Sequence, residues 1–194
     1  MPVLAIADAS VVGNLPSLSS ADADAVRRAV RYLYDLGHRQ IARVGGPESL
    51  AHSYIRDSAF ADVASELGMR YRCLHTDYTP ETGREATKRL LAFSEHPTAI
   101  IYDNDVMALA GLGVAASQGI KVPEEISIMS WDDSLMCTAA YPNLTAMGRD
   151  VVDTGKQAAG LLLKLIGGER VGHLMEGPYE LRARASTGPA PAAE

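Results

Sequence analysis

Along the chain, short runs of β-branched and aromatic residues alternate with longer segments whose apolar residues recur every three or four positions. A switch of period from two to 3.6 and back is the pattern of parallel βαβ crossovers rather than of hairpins, so it predicts an α/β fold with an open, doubly wound parallel sheet. Strands are expected at 3–7, 41–44, 71–75, 99–102 and 126–130. Between them, Val26, Val30 and Leu33, and then Phe60, Val63, Ala64 and Leu67, each put apolar groups on one helix face. Asp22 or Asp24 is placed to cap the first helix, Gly37 and Gly68 to end two, and Thr79 with Thr82 to open a third. A further helix over 151–166 carries a wide stripe of Val152, Ala159, Leu162, Leu163 and Ile166, stopped by Gly167-Gly168. Residues 174–184 read as a last strand or an irregular return, and the Pro/Ala tail after Thr187 is expected to fray.

With 194 residues and 47% apolar side chains, the chain can bury a sizeable core. Its 24 acidic against 18 basic residues give a net charge of −6, opposite to a surface that tracks phosphates. Two cysteines, Cys73 and Cys137, stand far apart without a CxxC pair, which indicates neither a disulfide framework nor a zinc site. The first ten residues lack a basic segment and a long apolar core, and no later run is long enough to span a bilayer. A cytoplasmic location is expected, with no membrane partner.

Enzyme motifs are weak. Gly111-Leu-Gly113-Val-Ala-Ala116 approximates a dinucleotide fingerprint, yet it falls inside a predicted helix rather than in the strand-to-helix turn where pyrophosphate would sit. Close helix packing explains it better. GxSxG, GxxxxGK[ST] and HExxH patterns are absent. His38, His52, His75, His96 and His173 are scattered, and surface or capping roles are expected for each. No catalytic residue, cofactor or metal is therefore predicted.

Ligands of open α/β sheets sit outside the carboxyl ends of the strands. Three polar clusters fall there: Thr76-Asp77-Tyr78, Asp103-Asn104-Asp105 and Asp132-Asp133. Carboxylates and amides in these places accept hydrogen bonds from hydroxyls, and Tyr78 offers a stacking face. Helix capping explains Asn104 and Asp77 equally well. The pair at 132 and 133 would also suit magnesium, but nothing supplies the phosphate such sites usually share. Arg56 is either a solvated charge or a guanidinium fork facing a cleft.

The segment LGHRQIARVGGP (36–47) resembles the signature of the lactose-repressor (LacI/GalR) family of transcriptional regulators, where a helix ends and the chain crosses into the second lobe. HPTAIIYDNDVMALAGL (96–112), GIKVPEEISIMSWDD (119–133), PNLTAM (142–147) and RASTGP (184–189) agree with that family in order and spacing. The resemblance covers nearly the whole chain. It implies a type I periplasmic-binding-protein-like fold: two lobes, three crossings, and a small-molecule effector in the cleft between them. On this basis 1–40 and 148–171 are expected to be a remnant of the first lobe, 41–147 and 172–190 a complete second lobe, and 191–194 a disordered tail. The helix-turn-helix headpiece through which such regulators bind DNA has no counterpart in the sequence.

The resemblance carries effector-contacting roles over to Arg56, Tyr78, Asn104 and Asp132, with Asp24 and Arg149 as further candidates. Arg149 stands where the family more often has glutamine, and a charge there points to an acidic effector unless it faces solvent. The implied function is sensing of a sugar or sugar derivative by a homodimeric repressor. The alternatives are an exported sugar-binding transport protein and a truncated fragment without function.

Overall fold

The computed structural model describes residues 1–192. Its elements in chain order are β1 (Ala5–Ile6), α1 (Ala9–Val12), β2 (Ser17–Ser19), α2 (Asp22–Asp35), β3 (Gln40–Gly45), α3 (Ala51–Glu66), β4 (Arg70–His75), α4 (Pro80–Leu91), β5 (Ala99–Tyr102), α5 (Asp105–Ser117), β6 (Ser127–Trp131), α6 (Leu135–Ala139), β7 (Thr145–Gly148), α7 (Val151–Ile166), β8 (His173–Met175) and β9 (Glu180–Arg182). They form a six-stranded sheet of order β4-β3-β5-β6-β7-β9, parallel except for β9, and a three-stranded parallel sheet β1-β2-β8.

The two faces of the larger sheet follow the pleat. Ile41, Ala99, Ile101, Met129 and Trp131 point to one side and pack with α2 and α3 through Ala29, Val30, Leu33, Phe60 and Val63. Ala42, Val44, Ile100, Tyr102 and Ile128 point to the other, against Leu90 of α4 and Met107 and Leu112 of α5. Each large apolar side chain removed from water in this way contributes about 1.5–3 kcal/mol. Gly37 and Gly68 have φ of +93° and +64°, the left-handed backbone that lets α2 and α3 turn sharply into β3 and β4. Thr79 caps α4 by accepting from the Thr82 amide.

Several sequence expectations need correction. α2 begins after Ala21 without a side-chain cap; Asp22 and Asp24 lie within its first turn. Residues 22–35 pack on the larger sheet rather than with the first-lobe remnant, because their apolar face meets β3 and α3. Within the return segment, β8 joins the smaller sheet through β2, whereas β9 joins the larger one. The segment 174–184 is thus split between the sheets. The tail is anchored well past Thr187: the Ser127 hydroxyl accepts from the Gly188 amide at 3.1 Å, and the Leu36 carbonyl accepts from the Ala190 amide at 2.8 Å. Of the tail expected at 191–194, residues 193–194 lie outside the described residues.

His38 is fully buried, contrary to its expected surface or capping role. Its ring joins Thr98 Oγ1 (2.8 Å), Ser127 Oγ (3.1 Å) and the Gly188 carbonyl (3.1 Å), linking the α2–β3 turn to the residue before β5, to β6 and to the tail. Gly111 packs against Tyr102, where a Cβ would collide with the ring, while Gly113 faces open space; the close-packing explanation holds for the first glycine only. The stripe on α7 exists but is uncovered: Val151, Val152, Leu163 and Ile166 are 62–67% exposed. Among the described residues, no helix is long and apolar enough to cross a membrane.

Candidate functional site

In the larger sheet the chain runs from β3 out to β4 and then crosses back over β3 to β5, so the winding reverses between β3 and β5. Loops leaving two adjacent strands in opposite directions open a crevice at their carboxyl ends. A cavity of about 410 Å³ lies there, closed on its other side by Ile6, Ala7 and Asp8 from the end of β1 and by Leu18 and Ser20 around β2.

The first wall grows out of the signature segment. β3 ends at Gly45, and a Cβ on the following Gly46 would overlap the Tyr78 ring, so this glycine makes the place where the tyrosine lies. Tyr78 has φ +70°, a backbone conformation costly for a residue with a Cβ, and the fold fixes it there. Asn104 donates to the Tyr78 carbonyl at 3.1 Å and accepts from the Met107 amide at 2.8 Å. It therefore caps α5 and braces the cavity wall at once. The Tyr78 hydroxyl lies 2.7 Å from His52 Nε2, and the two rings are stacked at 25° with centroids 6.3 Å apart. Burial, and then the nearby Arg56, lower the His52 pKa below its ordinary 6.5, so at neutral pH this wall is an uncharged aromatic pair.

Arg56 on α3 is only 8% exposed, which excludes the solvated-charge reading. Its Nε donates to Asp22 Oδ1 at 2.6 Å, its Nη1 lies 3.5 Å from Asp103 Oδ2, and its guanidinium carbon sits 4.5 Å over the Trp131 ring. Burial opposes its charge, but Asp103 and Asp22 outweigh it and raise its pKa. Asp132 follows β6 with φ +65°. Burial raises the pKa of its carboxyl against the pull of Arg56 and Arg149. Its carboxylate makes no side-chain hydrogen bond among the described residues, although it lines the cavity. Asp133 instead turns to Arg182 (2.6 Å) and Arg184 (2.7 Å), so the acidic pair is divided and does not face one cation.

Arg149 also lines the cavity, yet its charge is taken: Nη1 lies 2.5 Å from Glu176 Oε1. Its Nε is buried without a hydrogen-bond partner among the described residues. Asp24 is elsewhere. Its side chain is 80% exposed and pairs with Arg27 at 3.1 Å, two residues along the helix from the wall. Asp22 occupies the place intended for it. Asp77 is exposed as well, its carboxyl held at about 2 by hydrogen bonds from Thr79 and Thr82, a turn-and-cap role outside the cavity.

Arg56, Tyr78, Asn104, Asp132 and Arg149 therefore share one cavity, and Asp24 does not. Sequence reasoning missed Asp8, Asp22 and His52 as lining residues. The spacing of His52 and Arg56, one helical turn apart on α3, is the signal that puts both on one face. The lining carries four carboxylates, Asp8, Asp22, Asp103 and Asp132, against two guanidiniums, Arg56 and Arg149.

Known proteins share this fold. The family model described as "Periplasmic binding protein-like domain" matches residues 30–187. The Escherichia coli K12 HTH-type transcriptional repressor CytR is 33% identical over 180 residues, covering 90% of this chain and 52% of its own length. The chain thus spans about half the length of the curated relatives it matches. A LacI family transcriptional regulator from Bifidobacterium animalis subsp. lactis superposes with TM-score 0.96 at 60% identity, over 98% of this chain and 70% of that one. The dimeric lac repressor with an 11-residue C-terminal deletion gives TM-score 0.88 at 27% identity, over 97% and 68%. The relatives are transcriptional repressors, not enzymes, and the chain belongs to the LacI family, within its periplasmic-binding-protein-like domain.

Proposed function

We propose that this chain is an effector-sensing domain that binds a neutral, polyhydroxylated small molecule, a sugar or sugar derivative, in the cavity between its two sheets. What carries the reading is the set of polar groups left without partners there. The Asp132 carboxylate and the Arg149 Nε line a space faced by the Tyr78–His52 pair. The Arg149 Nε is buried without a partner, which is costly, while the exposed Asp132 carboxylate is free to accept, and a ligand that carries several hydroxyl groups on one ring satisfies both together.

The charge of the site argues against the acidic effector that Arg149 alone would suggest. Glu176 already neutralises that guanidinium, and the lining carboxylates outnumber the arginines. Control of DNA binding would then follow from ligand-dependent closure of the two sheets, transmitted to a DNA-binding headpiece in the cytoplasm. A second copy is the expected partner, because α6 and the loop after it leave Leu135, Met136 and Tyr141 at 83%, 40% and 97% exposure.

The test is a thermal-shift panel of neutral sugars, nucleosides and sugar acids, repeated on Arg56→Ala and Asp132→Ala. A neutral compound that stabilises the parent chain and neither variant supports the reading. A ligand that stabilises all three equally refutes the site.

A further inference from the structure

We propose that Arg43, which does not line the cavity, is a positioning residue that keeps Arg56 available to a ligand by occupying Asp103. Arg43 lies in the middle of β3, on the face where Ile41, Ile101 and Met129 build an apolar core, and is 1% exposed. Its Nε donates to Asp103 Oδ1 at 3.0 Å, its Nη2 to the other oxygen of the same carboxylate, and its Nη1 to Asp57. The strand is thinned for it: a Cβ on Gly45 would stand 2.9–3.2 Å from the guanidinium. Beyond Asp57 the chain of contacts continues to His75 Nε2 at 2.8 Å.

Stability alone is a poor reason for such a group. Replacing a buried ion triad by apolar residues of similar volume is often neutral or stabilising, so a triad within an apolar core calls for another role. The geometry supplies one. Both oxygens of Asp103 are gripped by Arg43, and Arg56 receives only the 3.5 Å contact to one of them. The Arg56 guanidinium lies over the Trp131 ring, and Arg56 lines the cavity. Without Arg43, Asp103, whose side chain is fully buried, has among the described residues one cationic partner left, Arg56. It would then close on Arg56 as a two-pronged pair, because a fork-to-fork contact is the favoured geometry for arginine and carboxylate. The consequence for ligand affinity rests on the function proposed above; the positioning itself does not.

The experiment reads Arg56 directly in the ligand-free full chain, so its failure is separate from any failure of the effector reading. In ¹⁵N-labelled protein, the Nε–H cross-peaks of Arg43 and Arg56 are assigned by their loss in Arg43→Leu and Arg56→Met. In Arg43→Leu the Arg56 cross-peak is expected to move, and its exchange with solvent to change by about tenfold or more as its hydrogen bond to Asp22 is remade. Asp57→Asn weakens the same triad but leaves the Arg43–Asp103 grip, and the Arg56 signal should stay in place. If Arg43→Leu fails to fold, Arg43→Lys keeps the charge and loses the fork, and the same displacement is expected. An unmoved Arg56 signal in the Arg43 variant, or an equal displacement in Asp57→Asn, overturns the proposal.

Discussion

Gly46→Ala tests how the signature segment builds the cavity. The new Cβ would fall inside the Tyr78 ring, which cannot simply turn aside. Its backbone is held at φ +70°, its carbonyl accepts from Asn104, and its hydroxyl meets His52 at 2.7 Å. Inserting a methyl into a packed wall costs roughly 1–3 kcal/mol, and displacing the ring also gives up its hydrogen bond, worth about 1 kcal/mol. The expected destabilisation is therefore about 2–4 kcal/mol, or a Tm lowered by roughly 5–15 °C for a chain of this size. A double-mutant cycle isolates the cause. In a Tyr78→Ala background the space is empty, and Gly46→Ala should cost under about 1 kcal/mol, leaving a coupling energy of at least ~1 kcal/mol. Urea denaturation of the four proteins measures it. If Gly46→Ala costs the same in both backgrounds, the glycine is required for its own backbone rather than for the tyrosine, and the reasoning is wrong.

Other perturbations probe the fold and the site. His38 is buried neutral, its pKa lowered from 6.5 first by burial, against the Gly188 carbonyl. The unfolded chain then takes up the proton before the folded one does, so stability should fall as pH drops below 6.5 and level off beneath the lowered folded value. His38→Gln should flatten that slope in urea titrations at pH 7.5 and 5.5; an unchanged slope would contradict it. Glu176→Gln removes the partner of Arg149, and binding of sugar acids relative to neutral sugars should rise by about tenfold, since one buried charge pair is worth a kcal/mol or more. No change in that ratio would mean that Arg149 does not face the ligand. Tyr141→Asp combined with Leu135→Asp should convert a dimer to a monomer in sedimentation, and an unaltered mass would place the interface elsewhere.

Where apolar residues form an unbroken run or recur at helical steps, the elements are legible in the sequence. The strand at 99–102 is found where expected, and the helix over 151–166 has the bounds its periodicity and Gly167-Gly168 indicate. β2 was illegible because its stability is polar: Ser17 Oγ meets His173 at 2.9 Å, and Ser19 Oγ donates to the Ala7 carbonyl at 2.9 Å, so a short serine-rich run is buried without an apolar pattern. Lobe boundaries were misplaced for a related reason, since linear order does not say which sheet an amphipathic helix covers, and α2 covers the later one. At the cleft, motif resemblance brought together residues from α3 and four loops that no local periodicity connects. It failed at Asp24, where a two-residue step along the helix turns the side chain by roughly 200° and puts it in solvent instead of against Arg56. His38, in the polar turn after α2, and Arg43, inside an apolar run, were missed because neither setting gives a sign of the partners that await the side chain from distant segments.

Isothermal titration of the full chain with the neutral sugar or nucleoside selected by thermal shift, alongside the matching sugar acid, tests the proposed effector cleft most directly. The neutral compound should bind with one site per chain, lose at least about tenfold in affinity in Asp132→Ala, and outcompete its acid. Tighter binding of the acid, or binding of the neutral compound that Asp132→Ala leaves intact, would contradict a cleft built for uncharged hydroxyls.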